Sequence, residues 1–138
     1  MDDLHPKVAE LCRLFLSKCK IERIDVLVTS TYRDHESQEA LYAQGRTKPG
    51  MLVTNAKGGY SFHNWRVAFD VVLMNHGKPV WDTQKENGLL WKKMGAIGEA
   101  IGLEWAGRWS HFPEFAHFQY TNGKDLAYFQ NGHSLNVM

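Results

Sequence analysis

Three residues in this chain have the types and spacing of a metal site. His63 stands two positions after Ser61 and seven before Asp70 in the run YSFHNWRVAFDVVL, and His117 stands in PEFAHFQ with Glu114 three residues before it. Two imidazoles and one carboxylate make a three-ligand zinc set with a fourth position left for water. Glu114 would then be free to serve as general base toward that water. Asp70 demands explanation on its own, because an uncompensated carboxylate in an apolar run is strongly unfavourable. The residues alone leave its partner open between a metal and the guanidinium of Arg33 or Arg66. His5, His35, His76 and His133 read as ordinary histidines, whereas His111 falls beside the proposed site.

The surrounding pattern supplies elements to hold these groups. In HPKVAELCRLFLSKCK, Val8, Leu11, Cys12, Phe15, Leu16 and Cys19 recur at helical spacing, with Pro6 tolerated in the first turn. The β-branched run from Ile24 to Thr31 reads as a strand that delivers Tyr32 and Arg33 at its end. DHESQEALYAQG reads as a helix closing at Gly45, and the turn-rich RTKPGMLVTNAKGGYS as a long surface loop. VAFDVVLMNHGKPVW reads as two strands joined around Asn75, His76 and Gly77, with Asp70 sharing a face with Ala68, Val72 and Met74. A helix with Leu90, Met94, Ile97 and Ile101 on one face should close at Gly102, followed by a strand at 117–120 and a short helix at 122–132. The expected class is α+β, a small, mostly antiparallel sheet with flanking helices in one domain spanning 1–138.

Three separated blocks, STYRDHESQEALYAQGRTKPG, TNAKGGYSFHNWRVAFDVV and GLEWAGRWSHFPEFAHFQY, resemble the zinc peptidase family that contains the VanX and VanY D-alanyl-D-alanine peptidases. The resemblance is nearest to its branch of L-alanyl-D-glutamate peptidases, which includes phage endolysins. It implies the sheet-and-helix fold shared with the hedgehog signalling domain, and zinc held by His63, Asp70 and His117. It also implies Glu114 as catalytic base and Arg33 as the cation that stabilises the oxyanion. Arg66 departs from the glycine usual in the family, and positive φ there would strain an arginine. Ser61, Trp109 and His111 are the candidate substrate contacts, and Tyr60, Trp105 and Phe112 are further candidates for the cleft wall.

Composition narrows the partners. Sixteen Lys and Arg against fifteen Asp and Glu give no long-range field for a polyanion, so nucleic acid is not an expected partner. That near-neutrality and the second ligand block around His117 also argue against reading His63 and Asn64 as part of a metallonuclease. Cys12 and Cys19 are seven apart in one helix, about 10 Å along its axis, too far for a disulfide. Free thiols fit a reducing compartment. MDDLHPKVAE has neither a basic nor an apolar leader segment, and no apolar run is long enough to span a membrane.

The expected protein is therefore a monomeric zinc peptidase of peptidoglycan stem peptides with no stable membrane association. It would be made in the cytoplasm without a signal peptide, and as an endolysin it would reach the wall after holin opening. The competing expectations are a D-alanyl-D-alanine carboxypeptidase and a noncatalytic zinc-stabilised wall-binding module.

Overall fold

The structure is a computed structural model that describes residues 1–111 and 113–135. Its elements, in chain order, are α1 (Pro6–Ile21), β1 (Val26–Ser30), α2 (His35–Ala43), a 3₁₀ turn (Phe62–Trp65), β2 (Ala68–Asn75) and β3 (Lys78–Val80). There follow α3 (Lys85–Ala100), β4 (Glu104–Trp105), a second 3₁₀ turn (Ala106–Arg108), β5 (His117–Gln119) and α4 (Leu126–Gln130). The strands form one sheet in the order β1-β2-β5-β4, with β3 also paired to β2, and every pairing is antiparallel. The expected α+β class and antiparallel sheet are what the chain forms.

Alternation along β2 separates core from chemistry. Phe69 lies opposite Phe118 on β5, and Asp70 lies opposite His117, so each pair shares a face and the two pairs point to opposite sides. Phe69 and Phe118 stack at 5.7 Å, and Phe15 of α1 packs on them at 6.0 and 4.7 Å. These rings, with Val8, Cys12, Cys19, Trp91 and Met94, belong to a single buried cluster beneath α1 and α3.

Helix α3 comes close to the sheet because its contact face carries glycine. A Cβ on Gly98 would lie 2.5 Å from the Phe118 ring. The buried face is therefore Gly88, Trp91, Met94, Gly95 and Gly98, which corrects the expected stripe. Met94 belongs to it, but Leu90 is exposed and Ile97 and Ile101 lie at its margin. Trp91 takes the core position and the small residues set the approach, so the helix is rotated from the register that large side chains alone suggest.

The remaining details are local. The hairpin turn falls at His76 and Gly77, both at positive φ as a tight two-residue turn requires. Helix α4 is shorter than 122–132 because Asp125 caps it, accepting the Tyr128 N–H at 2.9 Å. Between Val28 and Ser30 the register of β1 on β2 shifts, so that Ser30 rather than Thr29 stands opposite Asp70. That irregularity aims the Ser30 hydroxyl at the site face.

Candidate active site

Asp70 and His117 are carried by the sheet, and His63 is brought to them by the 3₁₀ turn. Ser61 starts that turn: its Oγ accepts the His63 N–H at 3.2 Å, while Asn64 Oδ1 accepts the Ser61 N–H at 3.1 Å, a reciprocal cap that fixes the turn. The result is a triangle of donor atoms. His63 Nε2 is 3.1 Å from Asp70 Oδ1, His117 Nδ1 is 3.1 Å from the same oxygen, and the two ring nitrogens are 3.2 Å apart. Zn–N bonds of about 2.0–2.1 Å in tetrahedral geometry place ligand atoms roughly 3.3 Å apart, so the triangle matches one face of such a site.

The outer ring atoms settle which nitrogens carry lone pairs. His63 Nδ1 donates to the Thr31 carbonyl at 2.8 Å, and His117 Nε2 donates to Gln119 Oε1 at 2.8 Å. With both outer nitrogens protonated, the inner two present lone pairs to each other and to a carboxylate. Three acceptors facing one another require positive charge between them, which a divalent cation would supply. Absent a cation, a proton shared within the cluster would play that part. Burial disfavours charge on both groups, yet hydrogen bonds from His117 and His63 hold Asp70 far below the ordinary carboxylate range, and Asp70 holds His117 above the ordinary imidazole value. His63, Asp70 and His117 are thus a donor set fit for a metal ion.

Arg33 and Glu114 face the same space. A cleft of about 470 Å³ is lined by Arg33, Ser61, His63, Asp70, Trp109, His111, Glu114 and His117, with Leu41 and 53–56 forming part of its wall. Arg33 Nη1 donates to Gln38 Oε1 at 2.7 Å and Nη2 to Ser30 Oγ at 3.0 Å, with Nη2 standing 3.8 Å from Asp70 Oδ2. It is therefore held as a charge near the donor triangle, not as a close hydrogen-bonding partner of Asp70. Burial raises the Glu114 pKa, against the pull of His117. A base with a raised pKa is better able to accept a proton.

The candidate wall residues divide. Trp109 lies against His117 with ring centroids 5.5 Å apart; His111 and Tyr60 line the cleft. Ser61 borders the cleft too, but its hydroxyl is engaged in capping. Trp105 is a core residue instead, buried with its indole N–H on the Phe115 carbonyl at 2.8 Å, and Phe112 lies outside the described residues. Sequence reasoning missed Gln38, Asn64 and Gln119. Gln38 is fully buried and also donates to the Ala56 carbonyl at 2.7 Å, joining Arg33 to the cleft wall. Asn64 donates to the Arg33 carbonyl at 2.7 Å. Their burial among polar types is the signal, and it exists only in three dimensions.

Comparison with known proteins gives this chain a lineage. A family model described as D-alanyl-D-alanine carboxypeptidase, of the M15 peptidases, matches residues 54–120. The peptidoglycan L-alanyl-D-glutamate endopeptidase CwlK of Bacillus subtilis is 36% identical over 122 residues, covering 85% of this chain and 73% of CwlK. The chain belongs to the M15 peptidase family. Its fold agrees with solved members. The L-Ala D-Glu endopeptidase ChiX of Serratia marcescens superposes with a TM-score of 0.64 at 21% identity, over 87% of this chain and 82% of ChiX. A variant of the vancomycin-resistance D,D-pentapeptidase VanY, solved with Zn(II), gives 0.64 at 12% identity, over 93% of this chain and 78% of that one. This M15 chain is accordingly a peptidase, with its three donor residues inside the matched segment.

Proposed function

We propose that this M15 peptidase holds zinc through His63, Asp70 and His117 and hydrolyses peptidoglycan stem peptides at the L-alanyl-D-glutamate bond. The observation that carries the proposal is the triangle of three donor atoms in the cleft that Glu114 and Arg33 also line. The 36% identity to CwlK supports the choice of bond. Zinc, when bound, supplies Lewis acidity that polarises the scissile carbonyl and acidifies a water. Glu114, lining the same cleft with a raised pKa, would act as the base toward the attacking water and return the proton to the departing amine. Arg33, fixed by Gln38 and Ser30, presents charge where the carbonyl oxygen becomes negative. Trp109 and Tyr60 offer flat apolar surface to the peptide and limit water around the bond.

The family description favours a second reading, removal of a terminal D-alanine. Digestion of purified peptidoglycan by zinc-loaded protein, with mass spectrometry of the new termini, separates the two. New N-terminal D-glutamate supports the endopeptidase, and free D-alanine alone refutes it. The noncatalytic wall-binding reading predicts no new termini at all, and the presence of both Glu114 and Arg33 at the cleft speaks against it.

We propose further that the enzyme acts as a phage or prophage endolysin made in the cytoplasm. Lysis on expression only when a holin is co-expressed would support that setting.

A further inference from the structure

Arg66 caps the 3₁₀ turn that carries His63, with φ 66° and ψ 22°. This is the left-handed region, which an arginine enters only against steric resistance, so something must hold it there. Its guanidinium carbon lies 3.8 Å from the centroid of the Tyr32 ring, and Nη1 donates to the Asp3 carbonyl at 2.8 Å. Its own carbonyl accepts the His5 N–H at 2.9 Å.

Tyr32 separates the two residues on which the site depends. Its predecessor, Thr31, supplies the carbonyl that fixes the His63 tautomer, and its successor is Arg33. The Thr31 hydroxyl donates to Asp3 Oδ2 at 2.9 Å, so both ends of the Arg66 side-chain contact lead back to Thr31. The two segments are also tied by the Arg33 N–H on the His63 carbonyl at 3.0 Å and by Asn64 on the Arg33 carbonyl.

We infer that Arg66 is a positioning residue: by clamping Tyr32 and Asp3 it holds 31–33 against 63–66, setting both the orientation of His63 and the entry of Arg33 into the cleft. Its role in metal binding and turnover rests on the zinc reading above, whereas the clamp itself is a property of the metal-free chain. A residue that merely endures strain would be improved by glycine, whereas a clamp would be lost with it.

The test uses Arg66→Gly, Arg66→Lys and Tyr32→Leu in the full chain. Amide exchange at Arg33, followed by NMR without metal, should quicken in Arg66→Gly and Tyr32→Leu. Outer partners of metal ligands change affinity by roughly 10- to 100-fold; one contact further out, the expected loss of zinc affinity is about three- to tenfold. kcat should fall by a similar factor with KM nearly unchanged, and Arg66→Lys, which keeps a cation in reach of Tyr32, should recover much of both. The melting temperature of Arg66→Gly should change little, because release of strain at φ 66° offsets the lost contacts to Tyr32 and Asp3. Unchanged Arg33 exchange in Arg66→Gly would overturn the clamp, even were the wild type to bind no zinc. Zinc binding by the wild type that is equally tight in Arg66→Gly would overturn its link to the site while leaving the metal reading intact.

Discussion

Asp70 and His117 stand directly opposite each other on β2 and β5, with Oδ1 and Nδ1 3.1 Å apart, while the next pair along, Phe69 and Phe118, turns into the core. Two of the three donors are therefore positioned by the same backbone ladder that packs the aromatic centre, which gives the site a rigid base.

The close fit behind β5 predicts a cost for Gly98→Ala. Alanine favours a helix by about 1 kcal/mol over glycine, but the added methyl would lie 2.5 Å from the Phe118 ring. Overpacking of this kind costs about 1–3 kcal/mol, so a net loss of stability should appear in chemical denaturation. A gain would mean that α3 can move off the sheet.

Glu114 is the proton carrier in the proposed reaction and is not one of the three donors. Glu114→Gln should retain metal and fold while turnover falls by about 10²-fold or more. Near-normal turnover would shift the role to another base, with His111, which lines the same cleft, the first to examine.

Arg33→Lys keeps the charge but loses the planar fork that reaches Gln38 and Ser30 together. The loss should fall on kcat, on the scale of the roughly 3 kcal/mol associated with a missing oxyanion donor, with zinc content and melting temperature little changed. Arg33→Ala discriminates further. A marked loss of stability with activity kept in the folded fraction would reduce Arg33 to a structural counter-charge for Asp70.

Cys12 and Cys19 are buried free thiols, pushed up by burial to about 11 and about 12. At neutral pH they should resist alkylation in the native protein and react promptly once it is unfolded. In the unfolded chain thiols ionise near the ordinary value of about 8.5. The unfolded state then loses protons first, and stability declines as pH rises from about 9 toward 11. Replacing both with alanine should flatten that alkaline decline in a pH series of melts; an unchanged decline would assign it to other groups.

The donor residues were legible in sequence because histidine and aspartate have few reasons to interrupt apolar runs at that spacing. Strand alternation then placed Asp70 on the face opposite Phe69. The rest depended on distances that spacing does not encode. Ser61 reads as a substrate contact and does line the cleft, but that its hydroxyl also caps the turn under His63 is not visible in spacing. Trp105 read as a cleft wall, but Gly95 and Gly107 make room for it inside. Gln38, Asn64 and Gln119 are common polar types, and only their burial between Arg33, His63, His117 and the cleft wall gives them a role.

The donor triangle is tested most directly by stripping the protein of metal and restoring zinc in steps while following both cleavage of a stem peptide and bound zinc. Activity should be lost with the metal and return linearly to a plateau at one zinc per chain, and neither His63→Ala nor His117→Ala should bind zinc tightly or recover. Full turnover in the stripped protein, or tight stoichiometric zinc retained by both variants, would contradict a metal site at His63, Asp70 and His117.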